Sequence, residues 1–324
     1  MRLGVAVFIS SLTFLACGVA NAAAERCGGL ASTIVGTSAG ERLVGTPGRD
    51  VIWAGRGRDV IVAGGGDDVI CAGAGHDRVR AAQGDDLVLP GSGRDLVFGG
   101  GGADRIRDFD GGDTFFGRNG DDVIAGGARS DFVDGGPGAD FIDAGADDDS
   151  LSDGPGDDVV RGGSDGDHLF DDGPGNDLID GGSGGDFLTD GVGDDVVRGG
   201  DGNDNLDLGP GTDELIGGPG RDTVSGHSRF GSAAVVVDFT AGEAEGRSIG
   251  LDAIAEFEWA FGTRYNDTLI GDSGGNVLLG FAGADHIEGR DGNDSLFGSN
   301  GVDFADGGNG TDDCVAESVL NCED

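Results

Sequence analysis

The sequence predicts an all-β chain wound as a flattened β-solenoid, with two nine-residue units, 18 residues, in each turn. Three regularities predict this. First, an aspartate recurs every nine residues at Asp50, Asp59, Asp68, Asp77, Asp86, Asp95, Asp104, Asp113, Asp122, Asp131, Asp140, Asp149, Asp158 and Asp167. After a one-residue slip near Asp171–Asp172 the series resumes at Asp177, Asp186, Asp195, Asp204, Asp213 and Asp222. Second, an apolar residue stands two places after every one of these aspartates, from Ile52, Ile61 and Ile70 through Phe115 to Val224. Third, each aspartate follows a glycine-rich turn. A carboxylate and an apolar residue locked to one short period are the mark of a stacked repeat.

The unit explains itself residue by residue. In Gly199-Gly200-Asp201-Gly202-Asn203-Asp204-Asn205-Leu206-Asp207 the first six residues form a turn and the last three a short strand. Glycine accepts positive φ, so successive carbonyl oxygens can turn towards one point. The aspartate brings carboxylate oxygens to the same point. Carbonyls with carboxylates make the ligand set of a hard cation, and Ca²⁺ tolerates their irregular geometry better than Mg²⁺. The strand then alternates out, in, out, and buries only its central residue.

These units resemble the hemolysin-type (RTX) nonapeptide G-G-x-G-x-D-x-U-x, most closely at Gly135–Asp143 (GGPGADFID), Gly181–Thr189 (GGSGGDFLT), Gly199–Asp207 (GGDGNDNLD) and Gly217–Ser225 (GGPGRDTVS). The resemblance covers 45–225 and returns at 262–315. It implies a right-handed parallel β-roll with Ca²⁺ held between successive turns. The implied ligands are the aspartates above together with Asp267, Asp285, Asp294, Asp303 and Asp312 of the second block, where Asn276 keeps the same spacing.

Departures from the repeat are specific. In the main block the fourth position is glycine except at Arg129, Asp147 and Asp165, which are spaced to stack along one edge. That edge is expected to hold weak or missing calcium sites between about 126 and 170. The first glycine is replaced at Pro90, Asp108 and Leu208, and Phe109 and Arg118 take second positions.

Composition narrows the partners. Acidic residues outnumber basic ones 61 to 20, every basic residue is arginine, and the formal net charge is −41. Such a chain repels the phosphates of nucleic acid and anionic membrane surfaces. Glycine is abundant, 71 of 324 residues, but without a Gly-X-Y period, which excludes collagen. A disordered acidic tail would share this composition; the unbroken apolar spacing argues against it. One buried side chain per nine residues offsets little of their conformational entropy. Folding and metal loading are therefore expected to be one event.

Met1-Arg2, the apolar run Leu3–Ala20 and the small residues up to Ala24 read as a secretory signal peptide, 1–24. A retained anchor and lipidation at Cys17 are the alternatives. Secretion would place the mature chain where disulfides persist, with no membrane insertion. Cys27, Cys71, Cys314 and Cys322 then allow three pairings. Cys27–Cys71 with Cys314–Cys322 is favoured, because it pins both ends of an array with open sheet edges. Zinc is the competing reading, but the pairs lie at opposite ends without CxxC spacing.

The domain organisation follows. Residues 25–44 form a degenerate N-terminal cap, in which Ile34 and Leu43 keep the apolar spacing while Ser32 and Glu41 replace the aspartate. The main roll is 45–225. A spacer at 226–261 breaks the period with Ala233–Phe239 and an alternating Leu251, Ala253, Ala255, Phe257, Trp259 and Phe261. The second roll is 262–315, and 316–324 is a C-terminal disulfide cap. No HExxH, GxSxG or phosphate loop is present, and the spacer is too short for an enzyme core. The expectation is a non-enzymatic, secreted calcium-binding protein with a structural or surface role. A calcium-dependent adhesin with a cell-wall or polysaccharide partner is the alternative, and an RTX-type enzyme or toxin component comes third. RTX proteins commonly leave by a type I route with a C-terminal signal, so an N-terminal signal peptide speaks against carrying toxin associations over.

Overall fold

The computed structural model describes residues 26–322, apart from 172 and 227–232; the signal-peptide reading of 1–24 lies outside them. All regular structure among the described residues is β. Each turn lays down two strands, one in each of two facing sheets. One sheet has 15 strands, from Arg42–Val44 to Asp313–Val315, all parallel. The other starts at Ile34–Val35 and ends at Ser318–Leu320.

Register follows the repeat. Ile52 pairs with Ile70 and Leu206 with Val224, 18 residues apart. At the slip the offset grows by one, so that Val160 pairs with Ile179 and Leu169 with Leu188. The strands on both sides of the slip keep their faces. A shift inside a strand would instead have turned every side chain over.

The core is two facing columns of single side chains. Ile52, Ile70, Val88, Ile106, Ile124 and Ile142 stack along one sheet, and Ile61, Val79, Val97, Phe115, Val133 and Leu151 along the other, all essentially inaccessible to solvent. The strand residues on either side point outward, giving the half-buried, buried, half-buried pattern of Phe187–Thr189. The chain thus forms a parallel β-solenoid of 18-residue turns.

Both ends and the spacer depart from this pattern. Arg26–Cys27 and Leu30–Ala31 form an antiparallel hairpin on the outer face. There Cys27, Val51, Val69 and Cys71 make a small second core with Trp53, Leu87 and Leu89 against it. Disulfides join Cys27 to Cys71, with Cα atoms 5.6 Å apart, and Cys314 to Cys322, 5.9 Å apart.

The spacer supplies a turn of its own. Ile254 pairs with Leu215 and Ala260 with Val224, and both continue the core columns. The apolar residues Leu251, Ala253 and Ala255 face solvent, because this pairing turns Asp252 and Ile254 inward. Two antiparallel strands, Val235–Asp238 and Glu243–Gly246, are inserted into the same sheet ahead of Thr268–Ile270. The opposite sheet passes directly from Thr223–Ser225 to Trp259–Phe261 to Val277–Leu279.

The columnar core makes a sharp prediction. Phe115→Ala empties a site between Val97 and Val133 and should cost about 3–5 kcal/mol. Thr114→Ala, on the outward neighbour, should stay within about 0.5 kcal/mol. Denaturant unfolding of the calcium-saturated chain measures both.

Candidate metal centres

The turn is shaped by its second and fourth residues. Gly200 and Gly202 have φ of 107° and 156°. Successive turns approach so closely that a Cβ on Gly202 would lie 1.4 Å from the Gly184 carbonyl oxygen. Only glycine permits this stacking.

Each turn then delivers an aspartate to one of two edges, where it bridges to its neighbour. On one edge the N–H groups of Asp50, Asp68, Asp86, Asp104, Asp122, Asp140, Asp158, Asp177 and Asp195 each donate to Oδ1 of the aspartate one turn on, at 2.6–2.9 Å. On the other edge Asp59, Asp77, Asp95, Asp113, Asp131, Asp149, Asp167, Asp186 and Asp204 do the same at 2.7–2.9 Å. The second block repeats the link through Asp267, Asp285 and Asp303, and through Asn276, Asp294 and Asp312.

The second carboxylate oxygen has no such partner. From Asp59 through Asp222, and again at Asp285, Asp294, Asp303 and Asp312, Oδ2 is buried and accepts no hydrogen bond. Where the first residue of the unit is glycine, Oδ2 faces it. A Cβ on Gly199 would sit 2.5 Å from Asp204 Oδ2 and 2.6 Å from the Gly217 carbonyl oxygen. Leaving a buried carboxylate oxygen unsatisfied is costly. An oxygen-lined cradle with an orphaned carboxylate oxygen fits a hard cation, and it recurs on both edges.

Electrostatics carry the same mark. Burial pushes Asp86, Asp95, Asp104, Asp140 and Asp195 up from 3.8 to about 7, and Asp122, Asp158 and Asp213 to about 6. Backbone hydrogen bonds oppose the shift without cancelling it, and neighbouring aspartates add to it.

Two candidate ligands differ from the rest. Asp50 Oδ2 accepts from the Thr46 N–H at 2.6 Å and the Thr46 hydroxyl at 3.0 Å. Asp267 Oδ2 accepts likewise from Thr263, at 2.5 and 3.1 Å. Threonines here supply the donors that a cation would replace elsewhere.

Other carboxylates stand where periodicity does not look. Asp252 Oδ1 accepts the Asp213 N–H at 3.1 Å, Glu258 Oε2 the Asp222 N–H at 2.9 Å, and Glu317 Oε2 the Asp303 N–H at 2.9 Å. They continue the ladders through the spacer and into the end. Asp108, Asp153, Asp171 and Asp190 are also buried, at the first position of the unit. An acid at a glycine position was the one available signal for these four.

The edge with non-glycine fourth positions is reshaped. Gly93, Gly184 and Gly202 lie at φ 147–156°, whereas Arg129, Asp147 and Asp165 lie at 74–79°. The Cβ atoms force this retreat into the left-handed region, while Asp131, Asp149 and Asp167 keep their ladder and their orphaned Oδ2. Left-handed strain costs about 1–2 kcal/mol per residue. Replacing Arg129, Asp147 and Asp165 together with glycine should therefore lower the calcium concentration at half-folding. An unchanged midpoint would show that the reshaped turns bind as well as the glycine turns.

The RTX calcium-binding nonapeptide repeat (4 copies) matches in overlapping windows across 35–228 and again over 257–280 and 279–314. No curated protein matches the chain. With well over half its length matched, and with buried aspartates in the same period, the chain belongs to the RTX calcium-binding nonapeptide repeat family, and its metal is Ca²⁺.

Proposed function

We propose that this protein is a secreted roll that calcium folds into a rigid rod, acting as a structural element at the cell surface or in the extracellular matrix. The observation that carries the reading is the double column of buried, unpartnered Oδ2 atoms. No protein donor reaches them, so the turns close at neutral pH only when a cation does, and the aspartates of both blocks are its ligands. Two disulfides support an oxidising compartment. The spacer spends its residues on one turn and a hairpin, which supports a non-enzymatic role.

A second reading, a calcium-dependent interaction module, is favoured by one feature. The outer face of the 15-stranded sheet carries a row of partly exposed aromatic rings. Phe98 stacks on Phe116 with centroids 5.0 Å apart, Phe132 follows at 5.8 Å, and Phe170 and Phe187 continue at 6.1 Å from each other. Aromatic faces suit the flat faces of sugar rings, so the partner would be a cell-wall polysaccharide. A calcium-dependent pull-down from cell envelopes supports this reading, and turnover of acidic polysaccharides by the purified chain would overturn the non-enzymatic one.

The folding claim is tested by circular dichroism of residues 25–324 during a calcium titration, with magnesium as control. A coil-to-β transition with calcium alone is expected; a chain already folded in chelator at neutral pH would remove the metal from folding. Protons should partly replace the metal. A carboxyl raised from 3.8 to about 7 in the roll, such as Asp86 or Asp104, holds its proton more tightly folded than unfolded. Its contribution to metal-free stability is complete below about pH 4 and is lost as pH rises through about 7. In chelator, acidification from pH 7.5 towards 5 should therefore increase β signal. The calcium midpoint should fall as pH rises over the same range, since protons and calcium compete for one oxygen.

A further inference from the structure

We propose that Asp153 and Asp171 join the repeat ligand Asp177 in a cation site additional to those of the repeat, in which three carboxylates from two successive turns take one Ca²⁺, or a trivalent lanthanide in its place, with Asp177 bridging this ion and its repeat ion. The first position of the unit faces the interior. Ala54, Ala63, Ala72, Ala81 and Ala144 occupy it elsewhere, each at 0 % exposure. Asp153 and Asp171 occupy the same position one turn apart, at 2 % and 4 % exposure. Backbone pairing fixes the equivalence: Asp171 N–H donates to the Thr189 carbonyl at 3.3 Å, as Gly135 N–H donates to that of Ser152 at 2.9 Å.

Each carboxylate has one oxygen already engaged. Asp153 Oδ1 accepts the Gly154 N–H at 2.7 Å, Asp171 Oδ1 the Gly173 N–H at 3.2 Å, and Asp177 Oδ1 the Asp158 N–H at 2.6 Å. Oδ2 of Asp171 and Oδ2 of Asp177 are buried and unpartnered. One oxygen from each of the three residues lies within 4.8 Å of the other two. Calcium–oxygen bonds of about 2.3–2.6 Å place ligands on opposite sides of one ion up to about 5 Å apart, so a single ion can reach all three. Glycine makes room for the group: a Cβ on Gly191 would fall 2.1–2.3 Å from the Asp171 carboxylate.

The site differs from the repeat sites in charge. A repeat unit contributes one aspartate, whereas this position gathers three with no change in the backbone ladder. More carboxylate ligands tighten calcium binding. The site should fill first and act as the nucleus from which loading spreads along the edge.

The experiment counts calcium per chain in a competition titration against a chromophoric chelator, using residues 25–324. The wild type should show a class of sites about tenfold or more tighter than the rest. Asp153→Ala with Asp171→Ala should abolish that class and lower the count by one. Alanine at this position is native to five other units, so the calcium-loaded dichroism should not change. Should the double variant lose the β signal, Asp171→Asn serves instead, keeping shape while removing a charge; loss of the tight class is again expected. An unchanged count and affinity distribution in either folded variant overturns the site and leaves the three carboxyls sharing protons. A wild type that binds no calcium would sink the repeat-wide reading along with this one, whereas equal counts sink this one alone.

Discussion

The structure depends on how each aspartate divides its two oxygens. Oδ1 accepts a backbone N–H from the preceding turn and so measures the spacing between turns, as in the 2.7 Å bond from Asp122 to Asp140. In most turns Oδ2 is then left buried with no donor, on a side of the turn that also carries carbonyl oxygens such as that of Gly217, and a carbonyl cannot donate. The first oxygen makes the stack, and on the reading proposed above the second makes the stack require a cation. A small residue, glycine or alanine, at the first position of most units leaves the cradle open, and glycine at the fourth lets turns touch. The apolar residue at the eighth follows because a two-sheet roll has room for one side chain per strand. On that reading fold and metal binding are one property of the sequence, not a scaffold with a site added.

That unity is why so much was legible in the residues alone. Asp104 and Ile106 announce edge and core together because both obey the nine-residue period. The period reports only what repeats, however. Asp252 and Glu258 occupy ladder positions 39 and 36 residues beyond Asp213 and Asp222, because the inserted hairpin lengthens the chain between turns. Glu258 and Glu317 are a methylene longer than aspartate and can reach the same N–H from a displaced backbone. Thr46 and Thr263 were visible four residues before Asp50 and Asp267, but their effect needs the folded turn, where their N–H and hydroxyl converge on the carboxylate. Asp153, Asp171 and Asp190, like Asp108, stand where the repeat has glycine; only the inward direction of the first position turns them into buried charge.

The spacer shows how tolerant the ladder is. One sheet accepts two antiparallel strands, yet Val235 of the inserted pair still donates its N–H to Asp267 Oδ1 of the next turn at 2.8 Å. Pairing is therefore continuous from the first block to the second, and the aspartate rule survives a change of strand direction. A solenoid needs only that each turn present an N–H to the carboxylate beyond it. Where the chain cannot offer an aspartate at the right separation, a glutamate or a threonine-capped aspartate closes the gap.

A stack with one shared ladder has consequences for how it assembles. Each turn contacts only its neighbours, so stability is a sum of turn and interface terms and loading can spread from any point. The terms are unequal along this chain. Turns carrying Arg129, Asp147 and Asp165 spend left-handed strain on one edge, while Asp153 and Asp171 add carboxylates on the other edge of nearly the same turns. An edge that loses glycine gives up backbone freedom, and an edge that gains acid raises its demand for cation. The middle of the main roll is thus its most calcium-dependent section. The ends, held by the Cys27–Cys71 and Cys314–Cys322 bonds and by threonine at Asp50, depend on it least. With the Asp153–Asp171–Asp177 cluster holding its ion longest, that cluster and the disulfide-closed ends are the fixed points between which emptied turns can re-form in register.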